Sequence, residues 1–304
     1  MSGTAVLKIV ITATLSLSIL PAVAADDAAK QTTSTISKVV YQPSKSTEDP
    51  QKSIQGSELI FTAPPREPAE AAKALYEPIA EYLSKTIGKK VTFKYPGSWG
   101  VYQGTMQKGG YDLVFDGPHF NGWRMAKLQH NILVKIPADF IFVTVTKREN
   151  DKIANIKQLA GQTVCAHAPP NLGTLTLLGQ FDNPARQPVI INTDGWDNIY
   201  KGMAAGRCTA AVIPTKTLEK LDKNGALTKV IYKARSLPNN ALSAGPRISP
   251  EDQEKIARAL ISPEASGPTE KFRQAYNVGK GFVPAKKEEF VGLGELLRNE
   301  WGYY

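Results

Sequence analysis

Apolar and polar positions along this chain follow two alternating periods. Leu59-Ile60-Phe61-Thr62-Ala63 is a short apolar run stopped by Pro64-Pro65, which reads as a buried strand. Behind it Ala72, Leu75, Tyr76, Ile79, Ala80, Tyr82 and Leu83 fall at helical spacing, and Gly88 stands where a C-cap belongs. Lys90 to Tyr95 reads as a second strand, Val101 to Gln107 as a short helix, Tyr111 to Phe115 as a third strand and Phe120 to Leu128 as a helix. Strands and helices alternate with short loops, the pattern of a doubly wound parallel sheet.

Ile132 to Lys147 is a longer β-rich run, read as one strand that crosses from one domain into another. A second set follows. It comprises a short helix at Asn155–Ala160, strands at Thr163–Ala166, Pro188–Asn192, Cys208–Pro214 and Thr228–Ala234, and helices at Thr174–Phe181, Trp196–Ala205 and Lys216–Lys223. Leu242-Ser243-Ala244 is the candidate return crossing, Ser249-Pro250 opens a helix through Ile261, and Gly294 to Trp301 closes the chain with a short helix. The expected class is α/β: two doubly wound α/β domains joined by a two-strand hinge. One domain is drawn from residues 58–142 plus about 243–304, the other from 143–242.

Composition supports a folded protein: 304 residues, 42% apolar and 21% charged, allow two domains with cores of their own. The first 24 residues differ from the rest. Lys8, the apolar run Ile9–Leu20 and the small-residue stretch Pro21-Ala22-Val23-Ala24 make a cleavable signal peptide, and the polar residues 25–57 make a flexible leader. The mature protein is expected in the periplasm as a soluble monomer with no stable membrane insertion. Loss of Lys8 with the signal leaves 36 basic against 28 acidic residues, a net charge of +8 that favours anionic ligands. The charges are scattered rather than clustered, which argues against nucleic acid. Cys165 and Cys208 leave three options in an oxidising compartment: a disulfide, two buried thiols, or a thiol metal site.

In doubly wound sheets ligands sit beyond the C-terminal strand ends. Those ends carry Pro65, Arg66, Tyr95, Trp99, Tyr102, Asp116 and His119. The most suggestive stretch is Gly161–Leu178, where a strand and a Pro-Pro turn lead to Asn171, Gly173 and Thr174 at a helix start. Free N–H groups and the helix dipole would make an anion pocket there. His119 and His167 fall one in each domain and could hold an anion, or a metal with Asp116; His130 reads as a surface residue. The Arg66 fork suits a carboxylate or phosphate, the aromatics suit an organic moiety, and Asp194 could hold an amine or cap the helix at Trp196. No nucleophile elbow, zinc-helix motif or activated thiol is present, so no enzyme and no cofactor is expected.

Four segments carry a family resemblance: LIFTAPPREPAEAAKALYEPIAEYLSKTIGKKVTF, GGYDLVFDGPHF, IANIKQLAGQTVCAHAPP and WDNIYKGMAAGRCTAAVIP. They resemble the phosphate/phosphite/phosphonate-binding periplasmic components of ABC transporters. The resemblance implies a type II periplasmic binding fold that closes on a small oxyanion and delivers it to a permease. In that family a Ser-Thr-Ser-Gly run holds the phosphonate oxygens. Here the equivalent stretch is Ala168-Pro169-Pro170-Asn171-Leu172-Gly173-Thr174, His119 stands at a usually small position, and Thr209 at a usually acidic one. A different ligand on the same fold (a metal, an organic or an apolar molecule) and a sensory partner of a receptor kinase remain open.

Overall fold

The computed structural model describes residues 58–279 and 281–298. The expected signal peptide and leader, and Trp301 of the expected closing helix, lie outside them.

The first half alternates as its pattern predicts: β1 (Leu59–Thr62), α1 (Ala69–Ile87), β2 (Val91–Phe93), α2 (Trp99–Gln107), β3 (Leu113–Asp116) and α3 (Pro118–Leu128). Gly88 ends α1 with φ of 67°, the left-handed conformation that only glycine adopts at no steric cost. The run read as one long crossing strand is in fact two, β4 (Asn131–Lys135) and β5 (Phe142–Lys147). Pro137 and Ala138, the latter at φ of 65°, interrupt it. Then come β6 (Thr163–Ala166), α4 (Leu172–Leu178), β7 (Val189–Asn192), α5 (Trp196–Ala204), β8 (Ala210–Pro214), α6 (Thr215–Leu221) and β9 (Thr228–Lys233). The chain continues through β10 (Ala241–Ala244), α7 (Pro250–Ile261), α8 (Glu270–Ala275) and β11 (Val283–Pro284) to a 3-10 turn at Leu293–Leu297.

Two sheets result. The first runs β11-β4-β10-β3-β1-β2 and the second β7-β6-β8-β5-β9. The parallel, doubly wound pairing holds for β1 with β2 and β3, and for β6 with β7 and β8. Antiparallel strands complete each sheet. β10 lies between β3 and β4, so Leu242-Ser243-Ala244 is an interior strand of the first sheet and not the return crossing. The crossings are residues 136–141 and 234–240, which meet at an antiparallel bridge between Phe140 and Leu237. Both N–H groups of that pair are used, at 2.7 and 2.9 Å.

Each sheet buries its own apolar face. Phe61, Tyr76, Phe93, Phe115 and Phe272 pack on the first, Leu159, Val164, Leu177 and Val212 on the second. Removing such a side chain from water contributes about 1.5–3 kcal/mol. On the second sheet's other face Cys165 and Cys208 form a disulfide, Cα to Cα 5.6 Å, among Val145, Ile199 and Met203. A further cluster joins the sheets: Tyr102, Met106, Phe120 and Trp123 enclose Leu175 of α4 and Leu297 of the C-terminal turn. That turn seats backbone to backbone, since a Cβ on Gly294 would lie 2.9 Å from the Trp123 backbone. His130 is not a surface residue. It is 3% exposed, with Nδ1 3.2 Å from the Ser243 hydroxyl.

Candidate functional site

Between the sheets lies a cleft of about 1470 Å³. Pro65, Arg66, Trp99 and His119 face it from the first sheet's strand ends; His167, Asn171 and Asp194 face it from the second. Its floor is the two crossings, with Phe140, Phe142 and Asn240.

The wall at the start of α3 is built around a buried carboxylate and the arginines it holds. Asp116, 0% exposed, accepts from Arg66 Nη2 at 2.7 Å, from Arg124 Nη1 at 3.2 Å and from the Gly117 amide at 2.6 Å. Tyr102 donates to its second oxygen. Two guanidiniums face the Asp116 carboxylate, and Glu67 also acts on Arg66, so the cluster sets two cations against two carboxylates. Burial disfavours the Arg66 cation, but Asp116, Tyr276, Tyr76 and Glu67 together outweigh that and raise its pKa. Arg124 is spent internally, also donating to Asn121 at 2.7 Å. Arg66 gives Asp116 one nitrogen, and its side chain stays 29% exposed at the cleft. The N-cap of α3 is Gly117, which has no side chain to cap it, and the positive dipole end of the helix lies at the same surface.

The opposite wall spends on itself most of the amides that its sequence suggests for an anion pocket. The Asn171 side chain accepts from the Gly173 and Thr174 amides, at 3.0 and 3.4 Å. Asn192, at the end of β7, takes the Ala168 amide at 2.9 Å, and the Asn171 amide goes to the Ala168 carbonyl at 3.1 Å. Pro169 and Pro170 have no N–H to give. The loop's own groups therefore take up the Ala168, Asn171, Gly173 and Thr174 amides. Gly173 is glycine for packing: a Cβ there would lie 2.6 Å from the Phe142 ring.

Thr174 is fully buried and donates to the His167 carbonyl at 2.6 Å. Tyr102 and Asp116 likewise lie beneath the cleft rather than on it, and Tyr95 turns its hydroxyl to the Glu67 carbonyl at 3.0 Å. Of the residues expected to touch a ligand, the structure therefore does not bring Tyr95, Tyr102, Asp116, Gly173 or Thr174 to the cleft surface.

The two histidines do meet the cleft, one on each wall. His119 reaches across it, with Nε2 3.0 Å from the Pro170 carbonyl. His167 is half-buried against Trp196, ring edge to face at 4.5 Å, and burial lowers its pKa while Asp194 partly restores it. Among the described residues no group of three His, Cys, Asp or Glu side chains gathers as a metal site would. The sequence reading missed Phe140 and Phe142, and also Tyr276, which enters from the end of α8 and is bonded to Tyr76 at 2.8 Å. Pro137 was the available signal for the first two, because a proline inside a strand pattern marks a break. Tyr276 had none.

Comparison with known proteins gives this geometry a family. Residues 61–290 match the family model described as ABC transporter, phosphonate, periplasmic substrate-binding protein. The phosphate-import protein PhnD of Mycolicibacterium smegmatis is 24% identical over 225 residues, covering 65% of this chain and 69% of that protein. Among solved structures, PhnD1 from Prochlorococcus marinus in complex with methylphosphonate superposes with a TM-score of 0.58 at 14% identity, covering 79% of this chain and 97% of that one. XAC2383 from Xanthomonas citri bound to ATP gives 0.61 at 12% identity, covering 80% and 97%. No helix among the described residues is long and apolar enough to cross a membrane. With two mixed sheets, paired crossings and a cleft between, the chain belongs to the phosphonate-type periplasmic substrate-binding proteins of ABC transporters, a type II periplasmic binding fold.

Proposed function

We propose that the mature protein, exported by residues 1–24, captures a phosphonate or phosphate anion in the cleft and presents it to an ABC permease. Residues 58–135 with 241–298 and residues 142–233 act as the two lobes, turning about the crossings at 136–141 and 234–240. The observation that carries the reading is the first wall: Arg66, held at one nitrogen by Asp116, keeps part of its side chain open to the cleft beside the N-terminus of α3. Ligand binding selects the closed form, and the permease reads that form.

A second reading concerns the ligand's size. The cleft, about 1470 Å³, exceeds the roughly 300–1,000 Å³ of ordinary small-molecule sites. Trp99, Phe140, Phe142 and Trp196 supply apolar wall. Both features favour a phosphonate with an organic substituent over inorganic phosphate.

Isothermal titration of the mature protein with phosphate, methylphosphonate and an arylphosphonate tests both readings. Heat with any of them supports the first, and tighter binding of the aryl compound supports the second. No heat with all three removes the first.

A further inference from the structure

His119 carries an atom that nothing among the described residues uses. A carbonyl can only accept, so the 3.0 Å contact with Pro170 requires Nε2 to hold the proton. In the neutral ring Nδ1 is then a bare lone pair. The ring is neutral at physiological pH, since burial pushes its pKa down to about 4. The charged groups that face it are Asp116, which opposes the shift, and Arg66 and Arg124, which reinforce it. His119 is 3% exposed, and its Nδ1 is buried without a hydrogen-bond partner.

This lone pair lies beside Arg66, a cation of the cleft wall. The point that a Cβ on Gly117 would occupy is 3.0 Å from His119 Nδ1 and 3.7 Å from Arg66 Nη2. A donor and an acceptor therefore approach each other closely at Gly117, where the absence of a side chain lets them do so. An oxyanion entering past Arg66 meets a guanidinium that wants a bare oxygen and an imidazole that wants a hydroxyl.

We propose that His119 Nδ1 accepts the P–OH hydrogen of the bound anion while Arg66 holds an unprotonated oxygen, so that the cleft selects the monoprotonated form of a phosphorus oxyanion. The proposal rests on the phosphonate reading above and deepens it. A dianion, or a sulfonate of the same shape, sets an oxygen lone pair against the nitrogen lone pair with no hydrogen between. Sites built to bond a ligand hydroxyl reject the analogue lacking it by far more than apolar sites reject a size change. The Pro170 carbonyl fixes the tautomer from the other wall, so the selectivity exists only while the two walls are joined.

The test is calorimetric titration of the mature protein with methylphosphonate and its isostere methanesulfonate, each below and above the second ionisation of the phosphonate. The expected result is phosphonate binding at least about a hundredfold tighter than sulfonate, with affinity falling as the monoanion is depleted. His119→Gln keeps a donor for Pro170 and removes Nδ1. It is expected to bind methylphosphonate about tenfold more weakly or worse, by the cost of a lost hydrogen bond, and to narrow the gap to sulfonate. Phosphonate binding with equal sulfonate affinity, or affinity that rises with the dianion, overturns this proposal and leaves the phosphonate reading standing. Absence of binding to any phosphorus anion overturns both. If His119→Gln does not fold, the two titrations of the unaltered protein decide the matter.

Discussion

His119 Nε2 donates to the Pro170 carbonyl at 3.0 Å, tying the first turn of α3 to the loop that precedes α4 on the far wall of the cleft. Leu175 follows the same path one turn later, buried among Tyr102, Met106 and Trp123. The two walls therefore meet along this edge through a hydrogen bond and apolar packing, to which Leu293 and Leu297 of the C-terminal turn also contribute. Gly117 guards that edge, since a Cβ there would lie 2.7 Å from His119 Cε1. Gly117→Ala should push the ring off Pro170, cost about 1–3 kcal/mol of stability as overpacking does, and weaken phosphonate binding. Urea unfolding together with calorimetry checks both parts. An alanine variant of unchanged stability and affinity would mean that the corner is soft.

Arg66→Ala should lower phosphonate affinity by about 1.5–3 kcal/mol, the contribution of a hydrogen bond to a charged group, or roughly tenfold to a hundredfold in Kd. The protein should remain folded, because Asp116 retains Arg124 at 3.2 Å and the Gly117 amide at 2.6 Å. Titration of a variant with an intact thermal midpoint is the check. Unaltered affinity would move the anion to another part of the cleft.

Stability should fall as pH drops from about 6.5 toward 4. Burial pushes His119 down to about 4, and burial with Arg124 nearby pushes His130 down to about 3, from an ordinary value of 6.5. Above 6.5 both rings are neutral whether the chain is folded or not, and they contribute nothing to the pH dependence. Below it the unfolded chain takes up protons that the folded one refuses, so folding loses up to about 1.4 kcal/mol per histidine for each pH unit. Urea midpoints measured across this window, which lies mostly above the ordinary carboxylate range, should decline with acidity. A flat profile would show that the rings accept protons in place.

Removing the disulfide should cost about 4 kcal/mol if loop entropy alone acts, given the 43-residue separation of Cys165 and Cys208. The double replacement by alanine, or reduction during unfolding, measures it by the shift in urea midpoint. The bond joins β6 to the residues just before β8, far from Arg66 and His119 in the chain. Phosphonate affinity in the folded double variant should survive, and its loss would mean that the second sheet depends on the bond for its shape.

Much of this architecture is written locally. Apolar spacing marks α1 and its end at Gly88, the alternation of strands and helices marks two parallel sets, and Ser249 sits where it caps α7, accepting from the Asp252 amide at 3.3 Å. Arg66, His119, His167 and Asp194 were legible as cleft residues because parallel strand ends always point to one side. These features depend on residues within a few positions of each other, and periodicity records which face of an element is buried.

What periodicity does not record is the identity of the neighbour on that face. The place of β10 between β3 and β4 is a pairing over more than a hundred residues, and nothing in Ala241–Ala244 names its partners. Arg124 looks like a solvated helix residue, yet it is 0% exposed because Asp116, Tyr102 and Asn121 converge on it. The helix start at Asn171 and Gly173 has the local form of an anion site. Its Gly173, Thr174 and Ala168 amides are taken by the Asn171 side chain and by Asn192 from another strand, and Phe142 packs where a side chain on Gly173 would lie. The sequence by itself determined most of the elements, the class and the strand ends that line the cleft. Only the tertiary structure decided which polar groups there are already satisfied, because a hydrogen bond is settled by whatever lies within about 3 Å in space, at any distance along the chain.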